Sequence, residues 1–208
     1  MNINNVVELY QYAFSSSESI LLGDEVFRFI VVRAGELLLP TGRIVACDPL
    51  VESVRSPYVQ SVPSGRYLVD LAIARREKDG DERIVFARIL FTGESPVVWV
   101  KALRKGEKGE AAPNGGGFGY SVSSNTGAFM DEETAALFRL ATLDDVDRLL
   151  DDLVTNFKPT RNWLNHSLDE GHNVMLFSSG YGKGQYPSYF AIDEAGDVCL
   201  LLTVFWTG

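Results

Sequence analysis

The chain has 208 residues, 46% of them apolar, with 28 acidic against 19 basic side chains and a formal net charge of −9. At this length folding removes roughly 70% of the unfolded chain's accessible surface from water, so a core needs neither metal nor disulfide to hold it. The acidic balance argues against nucleic acid and anionic membranes, which bind cationic faces, and favours a basic protein as partner.

The N-terminal stretch MNINNVVELYQYAF has no early lysine or arginine and no long apolar run, so it does not read as a signal peptide. No segment reaches the roughly 20 apolar residues of a membrane span. Cys47 and Cys199 lie far apart and form no CxxC pair, which fits a reduced, cytoplasmic chain. Residues 5–14 predict a short helix with Val6, Leu9, Tyr10 and Phe14 on one side, inside an N-terminal arm over 1–20. Short strands follow at 26–32, 36–39 and 43–47, separated by Gly35 and by Pro40-Thr41-Gly42.

The clearest pairing is RYLVDLAIAR (66–75) with ERIVFARILF (82–91) across Lys78-Asp79-Gly80-Asp81, because Asp-Gly supplies the positive φ of a tight hairpin turn. Alternation places Ile84, Phe86, Arg88 and Leu90 on one face. Residues 97–103 add a strand, and the polar, glycine-rich 104–117 reads as an exposed, mobile loop.

A helical insert is expected over 131–157. Asp131 caps a helix running to about Leu140, and Thr142 to Asp145 resembles a capping box. Val146, Leu149, Leu150, Leu153, Val154 and Phe157 then recur at spacings of three and four, a stripe that lays a helix on a sheet. Strands return at 173–179, 186–192 and 197–206. Strands, then helices, then strands predict a single α+β domain over 1–208, dominated by antiparallel sheet (a sandwich or strongly curved sheet) with two or three helices.

The most site-like stretch is FSSGYGKGQYPSYF, residues 177–190. A phosphate loop presents backbone N–H groups from the start of a helix, and here Pro187 and the aromatics disfavour one. Gly180, Gly182 and Gly184 therefore read as a connection between strands. A binding lip of Tyr181, Lys183, Tyr186 and Tyr189 is the alternative, since tyrosines on rigid turns suit contact. Residues 118–131 read as strand, turn at Ser123–Gly127 and short strand, and Tyr120 and Asp131 join Tyr181 and Lys183 around any cleft between the two turns.

Neither His166 nor His172 has metal-ligand spacing, so no metal or other cofactor is expected. Ser178 or Cys47 could meet a histidine in space, but GxSxG is absent and no catalytic residue is assigned. Between 131 and 157, eight acids face Arg139 and Arg148, a local charge of −6. This is a solvated face, or a surface shaped to plug a basic cleft.

Four stretches, LLLPTGRIVACDPLV (37–51), VPSGRYLVDLAIAR (62–75), FGYSVSSNTGAFMD (118–131) and LFSSGYGKGQYPSYFAIDEAGDVCLLLTVF (176–205), resemble in order a bacterial family known as domain of unknown function 4241, from about residue 35 to the C-terminus. The family pattern commonly has an acid at the position of Ser123 and a cysteine at that of Ala128. The resemblance implies relatives without implying a reaction. The expected function is a non-catalytic, cytoplasmic, immunity- or antitoxin-like protein that occludes a basic bacterial partner. The alternative is a small-ligand-binding protein or hydrolase using the cleft between the 118–131 and 177–190 turns.

Overall fold

Apolar runs punctuated by turn residues set the architecture of the computed structural model, which describes residues 3–51, 55–109, 118–138, 143–155 and 157–206. In chain order the elements are α1 (Ile3–Ser15), β1 (Ser19–Leu22), β2 (Glu25–Leu39), β3 (Ile44–Cys47), β4 (Gly65–Arg76), β5 (Glu82–Leu90), β6 (Val98–Lys101), β7 (Tyr120–Val122) and β8 (Thr126–Asp131). Then come α2 (Glu132–Leu137), α3 (Leu143–Val154), β9 (Trp163–Ser167), β10 (Asn173–Ser178), β11 (Gly184–Tyr186), β12 (Ser188–Ile192) and β13 (Val198–Val204).

A seven-stranded antiparallel sheet, in the order β1-β2-β4-β5-β13-β12-β6, curls into a half-barrel. It faces a four-stranded sheet, β3-β8-β10-β9, and β7 pairs separately with β11. The fold is thus α+β with a curved sheet, as the alternation of strand and helix patterns predicts. Register shifts at Arg33/Gly35, Ala72/Ile73 and Ala191/Ile192 put an extra residue into three ladders, and such bulges sharpen the local twist that curls a sheet.

Three apolar layers follow from period-two alternation. Leu37, Ile44, Leu71, Phe129, Phe177 and Leu201 meet between the sheets. Val6, Leu9 and Tyr10 of α1 cover the outer face of the large sheet over Phe27, Phe86 and Leu202. Phe138, Leu149 and Leu153 cover the outer face of the small sheet over Val45, Met130 and Leu176. Asn173 stitches the sheets together: its Oδ1 accepts from Leu38 N–H at 2.8 Å and its Nδ2 donates to Glu36 O at 2.7 Å.

Three expectations need correction. Gly35 does not end a strand; β2 runs straight through it as part of a bulge. Ile84 and Phe86 do not share a face, because the ladder pairs Ile73 with Ile84 and Ala72 with Phe86, leaving Val85 as the extra residue. Ile84 therefore packs between the sheets, while Phe86 packs beneath α1. The stripe of α3 is wider than the surface it covers: Leu149 and Leu153 are buried, but Leu150 and Val154 are exposed, and Phe157 lies beyond the helix, also exposed. Residues 110–117 of the expected loop, the first helix's end beyond Phe138 and Thr142 of the capping box lie outside the described residues. The Lys78–Asp81 hairpin forms as expected, with Gly80 at φ 74° and Arg75 opposite Glu82. No helix among the described residues is long and apolar enough to cross a membrane.

Candidate functional site

The two turns singled out in the sequence come together. No helix follows the glycines of 177–190; Gly184 opens β11, which pairs with β7 through Gly184↔Val122, Gln185↔Ser121 and Tyr186↔Tyr120. Ser179 N–H donates to Asn125 O at 3.1 Å, joining one turn to the other. Each turn is also tied from below. The buried Asp48 carboxylate accepts from the N–H groups of Ser123 and Ser124 at 2.8 and 2.7 Å and from Ser124 Oγ–H at 2.7 Å. The single proton of the Tyr186 hydroxyl is shared between Ser179 O and Gly182 O, at 3.0 and 2.7 Å. Gly180 and Gly182 take positive φ, 58° and 109°, which a side chain would disfavour.

Between the turns opens a polar cleft of about 570 Å³, of a size that suits a small molecule. Asn125, Asn162, Arg83, Arg161, Tyr181 and Lys183 line it, and no carboxylate does among the described residues. The cations differ in commitment. Arg161 is buried, with a bridge to Glu82 at 2.7 Å, so it serves as wall. Against the push of burial, Arg161 and Lys158 hold the Glu82 carboxyl below its ordinary range. Arg83 gives Nε to Asp81 and lies 5.5 Å from the Tyr181 ring centroid. Lys183 is exposed and makes no hydrogen bond or ion pair among the described residues. Burial, and then Asp81, raise the Tyr181 phenol above its usual value, while Arg76 and Arg83 oppose them, so it stays a protonated donor near neutrality.

Of the sequence-predicted site residues, Tyr181 and Lys183 reach this cleft. The other four point inward. Tyr120 and Tyr186 are 1% and 2% exposed, and Tyr189, 5% exposed, meets Phe118 edge-on at 5.2 Å. They support the turns and present no lip, because β7, β11 and β12 alternate their aromatics into the core. Asp131, fully buried, caps α2 by accepting from Glu133 N–H at 2.9 Å and holds Thr41 through its N–H at 3.1 Å and Oγ1–H at 2.9 Å. Arg83 and Arg161 escaped sequence reading because they come from β5 and from the segment before β9, and only strand order brings them to the turns.

The Ser–His and Cys–His arrangements that the sequence allowed do not assemble among the described residues. Ser178 Oγ donates to Asn162 Oδ1 at 2.7 Å. His172 Nδ1 sits 2.8 Å from Asp169, whose hydrogen bond raises its pKa against partial burial. His166 Nδ1 lies 3.9 Å from the Asp152 carboxylate. Cys47 and Cys199 are both buried, and burial pushes the Cys199 thiol up, away from the reactive thiolate. Among the described residues no group of three or more His, Cys, Asp or Glu is placed to hold a metal ion.

Residues 37–203 match the model of a family described as a protein of unknown function (DUF4241). No curated protein and no solved structure matches the chain.

Proposed function

The chain belongs to the DUF4241 family, which carries no activity over to it, and from the cleft itself we propose a binding protein, without catalytic chemistry, that holds a small molecule between its two paired turns. The uncommitted Lys183 carries this reading. A lysine with no partner among the described residues, at the mouth of a polar cleft on an acidic protein, is placed to meet a ligand's negative charge. Braced turns keep that cleft formed without a ligand, which lowers the ordering cost of binding. A thermal-shift screen of anionic metabolites tests it. At a hundred times its Kd a ligand stabilises by about 2.7 kcal/mol, an upward Tm shift of several degrees that Lys183→Glu and Tyr181→Ala should each remove. If millimolar compounds shift the wild type no more than both variants, the cleft is not the site.

One observation favours a second reading, a basic protein partner. On α3 the apolar Leu150 and Val154 stand in solvent beside exposed Asp147, Asp151 and Asp152. Apolar anchors inside an acidic rim suit an immunity- or antitoxin-like contact, with charge speeding the encounter and apolar burial slowing release. Co-expression with the product of an adjoining gene should give a stoichiometric complex that salt weakens and that Leu150→Glu with Val154→Glu dissolves. A complex indifferent to that pair of changes would place the contact elsewhere.

A further inference from the structure

The cleft has a neighbour of opposite character. A cavity of about 740 Å³ opens between α1 and the β1–β2 hairpin, lined chiefly by Leu9, Tyr12, Ile20, Leu22, Phe27 and Trp206. Tyr181 lines this cavity as well as the polar cleft. Its ring stands between the two, 6.5 Å from Trp206 on the apolar side and 5.5 Å from the Arg83 guanidinium on the polar side. Tyr181 is 44% exposed, so it forms a low saddle that a bound chain can cross.

Charge gives this pair of cavities a direction. Of the two acids at the apolar groove, Glu25 is bridged by Arg76 at 3.2 Å, whereas Glu8 is exposed on the α1 side. A negative headgroup is repelled at the Glu8 end and attracted at the Lys183 and Arg83 end. A tail needs no polar partner and loses water against Leu9, Ile20, Leu22 and Phe27. We propose that the two cavities form one site for a single-chain anionic amphiphile. Its alkyl tail lies in the groove beneath α1, and its carboxylate or phosphate sits across Tyr181 at Lys183 and Arg83. This rests on the polar cleft being a ligand site and names the class of ligand. A free fatty-acid-like carboxylate and a monoalkyl phosphate share that chemistry, and the titration separates them.

The test is calorimetric titration of the full chain with n-alkyl phosphates and n-alkanoates of six to twelve carbons, held below micelle formation. Affinity should rise about fourfold per methylene until the groove is filled, the factor that burying one CH₂ supplies. Whichever series binds more tightly at equal chain length identifies the preferred head. Lys183→Glu should weaken the twelve-carbon anion at least tenfold and leave a neutral twelve-carbon alcohol unchanged. Leu22→Glu should abolish the chain-length dependence while short anions still bind. Trp206→Ala, at the groove's other wall, gives the same readout should Leu22→Glu fail to fold. Equal affinities for six and twelve carbons overturn the amphiphile but leave the cleft a small-anion site. Equal binding of the neutral alcohol and the anion, indifferent to Lys183→Glu, overturns it as unspecific adsorption. Binding by no anion of either series removes both readings.

Discussion

Gly119→Ala is expected to destabilise the protein by about 4 kcal/mol or more, among the largest effects one methyl can have. Gly119 sits at φ 120°, and a β-carbon there would lie 2.0 Å from Tyr186 O, 2.5 Å from its carbonyl carbon and 2.8 Å from Pro187 Cα. All three are backbone atoms, so no rotamer change relieves the overlap. Either β7 and β11 separate or the Pro187 segment shifts. Both routes break the Tyr186↔Tyr120 pairing and the hydrogen bond from Gln185 Nε2 to Gly119 O at 2.8 Å. Residues held in sparsely populated backbone regions already cost about 1–3 kcal/mol each, and the collision adds to that. Chemical denaturation measures the loss. Gly93→Ala is the control: its added carbon meets nothing within 4 Å and its φ is not in the left-handed region, so it should stay within about 0.5 kcal/mol of wild type. Equal stabilities for the two variants would mean that β7 and β11 do not pair as described.

Asp70→Ala should cost about 3–5 kcal/mol, which at this chain length lowers Tm by roughly 10 °C. The Asp70 side chain is 4% exposed, on β4, between Arg33 and Arg88, with Arg88 Nη2 at 2.9 Å. Removing the carboxylate leaves Arg88, 16% exposed, as a largely buried charge without its counterion. Arg88 also lies 3.8 Å from the Phe14 ring centroid and donates to the Tyr10 hydroxyl at 3.0 Å, so the same change loosens α1. Arg33→Ala should cost under about 1 kcal/mol, because that side chain is 52% exposed and water screens it. The contrast between the two variants is the diagnostic. An Asp70→Ala protein as stable as Arg33→Ala would show that Arg88 finds water or another acid.

Much of the secondary structure is legible in residues near one another. Asp-Gly at 79–80 demands its hairpin turn, and the i, i+3, i+4 recurrence on α3 demands a helix. The absence of a helix after Gly184 follows from Pro187 and the aromatics around it. Short strands are harder. In β1, β9 and β11 three to five residues carry too little pattern to stand out, and they are extended because a neighbouring ladder pairs with them. Alternation also misleads wherever a bulge intervenes, as at Val85.

The site divides in the same way. Lys183 and Tyr181 are visible as unusual residues on a glycine-rich turn. Tyr120 and Tyr186 look identical to them in sequence, and only the pairing of β7 with β11 decides that those phenols are supports. The stripe ending at Phe157 shows periodicity but not how much of it the small sheet can cover, so the exposure of Leu150 and Val154 needed the packing itself.

The order of strands in the large sheet bears on how the protein folds. β13 lies far from β5 in the sequence, with β6 to β12 between them, yet it must slot between β5 and β12, bringing Leu200 beside Leu90. Until it docks, β5 and β12 hold two open strand edges around an unfilled gap, the kind of surface that invites mispairing and chaperone capture. Pairing β13 with β5 over so long a loop makes this step of folding slow.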